Sequence, residues 1–280
     1  MAIFTNQAQL TYNGRTILSN VTQGVIAEPY AISKTPLGDT YSAGDTKTYV
    51  LALTNSSSSA LSGVSVTDDL GAYTVGTNTY YPLTFTGPIL AYVNGTFAGE
   101  ITPTATTPTL TFTLPTVPAG GNVVVVYDTQ VNSFAPLATD SQIVNTVTVS
   151  GGGITAPLTA EATISAEEDA LLSILKSVTP TTVNDGVVTY TFTIENFGNV
   201  ESADAVLTDT FDPILTGITV ALNGTPLSDP DDYTYNEATG LLTTAPGTIV
   251  VPAATYTTAP DGSVEVTPGT VTLTVTGNLT

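Results

Sequence analysis

Apolar and polar residues alternate along most of this chain in short runs such as TKTYVLALTN, GVSVTDDL, TLTFTL and NVVVVYDTQVN. Gly, Pro, Asn and Asp interrupt the runs at short intervals, which is the pattern of strands joined by tight turns. No window sustains the 3.6-residue period of an amphipathic helix, and β-favouring Thr and Val abound. The pattern predicts an all-β chain.

The first alternation, FTNQAQLTY, runs into Asn13-Gly14 and then RTILSNVTQGVI, which predicts a hairpin over residues 1–26. The segment from Ile143 to Ile164 repeats that plan: IVNTVTVSGGG is followed by ITAPLTAEATI. Asn6, Ala8 and Leu10 fall on Asn145, Val147 and Val149, with a glycine turn after each set.

A longer repeat encloses the shorter one. SILKSVTPTTVNDGVVTYTFTIENFG aligns on AISKTPLGDTYSAGDTKTYVLALTNS, placing Lys176 on Lys34, Tyr190 on Tyr49 and Asn196 on Asn55. Asp209 then falls on Asp68, and Asn223 on Asn94. Such internal periodicity predicts two like domains, 27–165 and 171–280, joined by the acidic segment 166–170 and preceded by the hairpin. GSVEVTPGTVTLTVTGNLT is expected to supply the strands that TLTFTLPTVPAGGNVVVVYDTQVN supplies in the first domain. The first domain then closes with the hairpin from Ile143, whereas the second reaches Thr280 without one.

Charge narrows the choice of partners. There are 24 acidic residues against four basic ones, Arg15, Lys34, Lys47 and Lys176, for a formal net charge of −20. Phosphate backbones would be repelled, so no nucleic-acid partner is expected. The chain has no Cys and no His, which excludes disulfides, thiol nucleophiles, Ser-His-Asp relays and the usual zinc sites. No cofactor or metal is expected. The run from Ser228 to Glu237 gathers Asp229, Asp231 and Asp232, which could ligate calcium or simply form an Asp-Pro turn. No run approaches the roughly 20 apolar residues of a membrane span, and no membrane partner is expected. MAIFTNQAQL lacks the basic start and apolar centre of a secretory leader. Either a leader has been removed, or the protein leaves the cell by another route, such as lysis of a mother cell.

The paired motifs KTP and KSV, GDTKTYVLALTN and DGVVTYTFTIEN, VSVTDDL and AVLTDTF, together with NTVTV, resemble a repeat domain of unknown function common on bacterial and archaeal surface proteins. That family in turn resembles the immunoglobulin-like stalk domains of collagen adhesins from Gram-positive bacteria. The resemblance implies two tandem Ig-like, collagen-adhesin-like antiparallel β-sandwiches. It also implies a lysine amine that attacks an asparagine amide on the last strand with help from a nearby acid. In the first domain these would be Lys34, Asn145 and Asp68, with Asp69 the less favoured acid. The matching lysine and acid of the second domain are Lys176 and Asp209, and Asn6 of the opening hairpin stands where Asn145 stands. Asn278 is the competing acceptor within the second domain. In each case the alternative is a plain Lys–Asp salt bridge or an exposed lysine.

A sandwich without its last strands exposes an unpaired edge and an open core. Strand donation from another subunit would repair it, with Phe4, Ala8, Leu10 and Tyr12, or the intervening set, facing the groove. Donor and groove lie at opposite ends of the subunit, so the contact would propagate head to tail. The alternative is a hairpin folded back on its own chain. The expected function is structural, a self-assembling subunit of an extracellular fibre on a cell or spore surface whose partners are identical subunits. The other reading is the stalk or binding module of an adhesin. No enzymatic turnover is expected beyond autocatalytic bond formation.

Overall fold

Three Asn-Gly pairs, Asn13-Gly14, Asn94-Gly95 and Asn223-Gly224, all have positive φ at both residues, the geometry of the two-residue turn that matches strand twist. These turns tie short strands together throughout. The computed structural model describes residues 2–26, 29–181 and 186–279, and their regular structure is entirely β. The described chain forms two compact units. One comprises residues up to Asp39, Thr46–Gln130 and Val144–Thr163; the other comprises Thr40–Asp45, Val131–Ile143 and the residues from Ile164 on.

The chain opens with β1 (Ala2–Asn6), β2 (Gln9–Tyr12), β3 (Arg15–Leu18) and β4 (Thr22–Ile26). β1 pairs with β4, and β2 with β3, in one long antiparallel hairpin interrupted around Gln7 and Ala8. Phe4 lies opposite Gly24, and Leu10 opposite Ile17. The Phe4 ring occupies the space a side chain at Gly24 would need. Every described side chain from Phe4 to Gln23 is exposed.

The first sandwich is built from β5 (Tyr30–Pro36), β6 (Thr40–Tyr41), β7 (Thr46–Asn55), β8 (Val64–Asp68), β9 (Tyr73–Val75), β10 (Asn78–Tyr80), β11 (Leu83–Val93), β12 (Thr96–Ile101), β13 (Leu110–Thr113), β14 (Asn122–Val131), β15 (Gln142–Gly151) and β16 (Leu158–Ala166). One sheet has the order β12-β11-β14-β7-β5, and the facing sheet the order β13-β8-β15-β16-β6. The last step is parallel and joins Ser165 and Ala166 to Thr40 and Tyr41. Alternation places Tyr49, Leu51 and Leu53 of β7 and Val123, Val125 and Tyr127 of β14 in the core. β15 contributes the buried stripe Ile143, Asn145, Val147, Val149.

The second sandwich contains β17 (Leu172–Thr179), β18 (Val187–Asn196), β19 (Ser202–Ala205), β20 (Thr208–Thr210), β21 (Leu215–Leu222), β22 (Thr225–Pro226), β23 (Tyr233–Asn236), β24 (Leu241–Thr244), β25 (Ile249–Val251), β26 (Thr255–Thr258), β27 (Val264–Thr267) and β28 (Gly269–Leu279). Its main sheet, β17-β18-β28-β21-β22, follows the order of β5-β7-β14-β11-β12. The opposing layer is thinner, with sheets β20-β24-β23 and β19-β25. Phe192, Phe211, Leu215, Leu242, Leu273 and Val275 centre its core.

One expected correspondence is corrected. β28 takes the place of β14, but Val264–Thr267 does not take the place of β13; it folds on β26 as a ribbon. The partner of β20 is β24, with Asp209 opposite Leu242, as Asp68 lies opposite Leu110. Val264–Thr267 alternates like a strand but buries little, whereas Leu242 and Thr244 of β24 are sealed in the core. Burial chose between two segments of similar pattern.

Candidate functional site

β8 is flanked on both sides in the first sandwich. Asp68 stands opposite Leu110 of β13 and opposite Val147 of β15. Asn145 precedes Val147 by one alternation, so it enters the core beside Asp68. From the facing sheet Lys34 of β5, which pairs with Leu51, crosses the core and places Nζ 2.7 Å from Asp68 Oδ2. Neither side chain of this pair has any solvent exposure.

Two tyrosines complete the surroundings. Tyr127 and Tyr49 face each other across β14 and β7, with ring centroids 5.9 Å apart. Lys34 Nζ lies 4.8 Å from the Tyr49 ring centre, and the Tyr127 hydroxyl donates to Asp68 Oδ2. Asp68 Oδ1 accepts the backbone N–H of Leu70 at 2.9 Å. The Asn145 amide is fully buried beside the Tyr49 hydroxyl, yet neither end of the amide nor that hydroxyl has a well-formed hydrogen bond. Burial without a partner costs about 1–3 kcal/mol for each polar group, and such groups are rare in folded proteins.

Burial pushes the Lys34 amine below its ordinary pKa, against the opposing pull of Asp68. Burial, reinforced by Asp68, raises Tyr127, and burial raises Tyr49 despite Asn145. Asp69 is raised by burial, while N–H groups of Thr146 and Gly71 act against the rise. Its Oδ1 accepts those two N–H groups at 2.8 and 2.9 Å, which leaves Asp68 as the acid on the lysine. A lysine amine of lowered basicity on a carboxyl, with a buried amide in the same core, is the set of groups that acyl transfer from asparagine to lysine requires.

The second sandwich holds the same lysine and acid in a more open setting. Lys176 Nζ lies 2.5 Å from Asp209 Oδ2, but their side chains are 40% and 19% exposed. Tyr190 stacks under the amine as Tyr49 does, 4.7 Å from centroid to Nζ. Asn278 is not at this pair; it pairs with Val187, and its Nδ2 donates to Thr216 O at 3.4 Å. Nothing among the described residues pairs with β20 on the edge that corresponds to the β15 side of β8. Beside it runs an apolar groove of about 190 Å³ lined by Leu172, Ile174, Ile194, Val206, Leu207 and Ile249. Ile174 and Val206 are 59% and 48% exposed.

The other expected positions lie in the opening hairpin. Phe4, Leu10 and Tyr12 are 55–70% exposed, and Asn6 and Ala8 are exposed too. The acidic run is a turn in which Asp232 Oδ2 accepts the N–H of Ser228 at 2.8 Å. Sequence reasoning did not assign a place in the site to Tyr127. The aligned tyrosines Tyr49 and Tyr190 were the available signal, because Tyr127 is the partner of Tyr49 on the next strand.

No protein-family model matches the chain, and no curated protein matches it. Among solved structures the chain is similar to the major pilin subunit BcpA of Bacillus cereus, with 12% identity over 95% of this chain and 73% of that one and a TM-score of 0.38. It is similar to domains D2 and D3 of the major pilin SpaD of Corynebacterium diphtheriae, with 14% identity, coverage of 85% and 88%, and a TM-score of 0.36. It is also similar to the pilus backbone RrgB of Streptococcus pneumoniae, with 15% identity, coverage of 85% and 55%, and a TM-score of 0.35.

Proposed function

We propose that the protein is the structural subunit of an extracellular fibre in which the opening hairpin of one copy completes the second sandwich of the next. One observation carries the reading. The stripe Ile143, Asn145, Val147, Val149 that fills the first sandwich recurs at the same spacing as Phe4, Asn6, Ala8, Leu10, where it is exposed. The groove beside β20 is the place where a strand of that pattern would pair.

Two further observations support the occupant. Residues 1–27 carry Arg15 and no acidic side chain, so all 24 acidic residues lie in the rest of the chain; the hairpin is the segment least repelled by another copy. Its apolar side chains are large and contiguous, and such surface drives association when covered. Because donor and acceptor are different surfaces, the contact repeats without closing and yields a filament. Within the first sandwich, Lys34 and Asn145 form an isopeptide bond assisted by Asp68, which staples β5 to β15 against extension.

The test is a hairpin substitution that leaves the described body untouched. Ala8→Asp with Leu10→Asp should abolish fibres while the soluble subunit keeps its unfolding midpoint. Abundant fibres from this variant would reject strand donation.

A further inference from the structure

The Lys176–Asp209 pair repeats the lysine and acid of the first sandwich, but among the described residues no side-chain amide bonds to it. Its amine sits within 4.7–5.3 Å of the centroids of Tyr190, Phe211 and Phe192, an aromatic cradle that fixes its direction. The pair is partly exposed and the edge of β20 next to it is unpaired among the described residues. The aligned pair Lys34–Asp68, with its amide present, is sealed.

We propose that Lys176 forms an isopeptide bond with Asn6 of a second copy of this chain, so that each joint of the fibre is covalent. This rests on the strand donation proposed above and adds a bond to it. Transferring the β8–β15 register to the second sandwich sets Ala8 opposite Asp209, as Val147 is opposite Asp68. Asn6 is then one alternation before Ala8, on the face that meets Lys176. In the free hairpin its backbone carbonyl is engaged by Thr22 Oγ1 at 3.1 Å, and no described residue holds its side-chain amide.

The hairpin supplies the burial that the pair lacks in the single subunit, and with it the electrophile. Nζ of Lys176 gives one proton to solvent and bonds to Cγ of Asn6, and a second proton passes through Asp209 to Nδ2. The Cγ–Nδ2 bond breaks, and the nitrogen leaves as ammonia. No oxidant, reductant or cofactor is consumed, and the reaction proceeds only where the strand has docked.

The few basic residues make the bond readable. Trypsin cuts after Arg15, Lys34, Lys47 and Lys176, and an acylated lysine resists cleavage. Fibres of the full chain, grown from a mixture of light and 15N-labelled subunits, are boiled in detergent, run on a denaturing gel and digested. The expected result is a ladder of multimers, and a branched peptide joining residues 1–15 to an uncut Lys176, lighter by one ammonia for this joint beyond the ammonia lost at Lys34–Asn145, and present in mixed-label form. Lys176→Arg should collapse the ladder to a single band while fibres still form, and Asn6→Ala should also remove the ladder. Fibres that boil to monomers cleaved after Lys176 would overturn the bond and leave strand donation standing. Absence of fibres altogether would overturn both. A branched peptide found only in unmixed label, with no ladder, would place the bond within one chain and overturn the joint between copies.

Discussion

Val147 of β15 stands directly opposite Asp68 of β8, and that single register position turns Asn145 into the core beside the Tyr49 hydroxyl, in the sandwich that buries Lys34. A shift by one residue would turn Asn145 to solvent and Thr146 inward. The strand that closes the sandwich therefore also carries the proposed electrophile, so on this account folding completes the site.

The first prediction concerns Asp68. Native protein should be lighter than its sequence mass by one ammonia for the Lys34–Asn145 bond. Asp68→Ala should restore the full mass, because no group then relays the proton to the leaving nitrogen. Intact-mass measurement of soluble subunits checks this, and a native mass without the deficit would reduce the trio to a salt bridge.

Tyr127→Phe removes the hydroxyl that donates to Asp68 while conserving the ring. The loss should cost about 1–3 kcal/mol in stability, as expected for a buried carboxyl left with one donor fewer. It should also slow the appearance of the ammonia deficit in freshly refolded protein, a readout that ring packing alone would not change. An unchanged rate would exclude Tyr127 from positioning the acid.

Alkaline stability distinguishes a free Lys34 amine from an amide. In Asn145→Ala the amine must persist. Its folded pKa lies below the ordinary 10.5, so between those values the unfolded chain binds the extra proton and stability rises with pH. Tyr49 and Tyr127, both raised from 10.0, keep protons in the folded state that the unfolded chain loses, so stability falls above about pH 10. Asp69, raised from 3.8, acts only at the acid end. The variant should show a rise followed by a fall in urea-unfolding free energy; the bonded native chain should show the fall alone.

Much of this arrangement was legible in the sequence because it is written twice. Lys34 and Lys176, Asp68 and Asp209, and Asn55 and Asn196 align without knowledge of the fold. The last pair even repeats its bonds: Asn55 Nδ2 donates to Ser59 O and Pro118 O, and Asn196 Nδ2 to Val200 O and Pro252 O. What alignment did not reveal was the partner of β20. Val264–Thr267 and Leu241–Thr244 both have strand composition, and only the packing of Leu242 and Thr244 against the core separates them. Tyr127 was hidden for a related reason, since Val275 occupies its place opposite Tyr190.

A synthetic peptide of residues 1–26 should compete for the groove of the second sandwich. Added during assembly, it should shorten fibres in proportion to its concentration, and the same peptide with Leu10→Asp should not. Fibre lengths by negative-stain microscopy provide the readout.

The central claim is that the opening hairpin of one copy completes the second sandwich of another. The most direct measurement is light scattering paired with negative-stain microscopy of the full chain and of a chain lacking residues 1–26, at equal concentration. The account predicts filaments from the full chain and only monomers from the shortened one. Filaments of equal number and form from the shortened chain would contradict it.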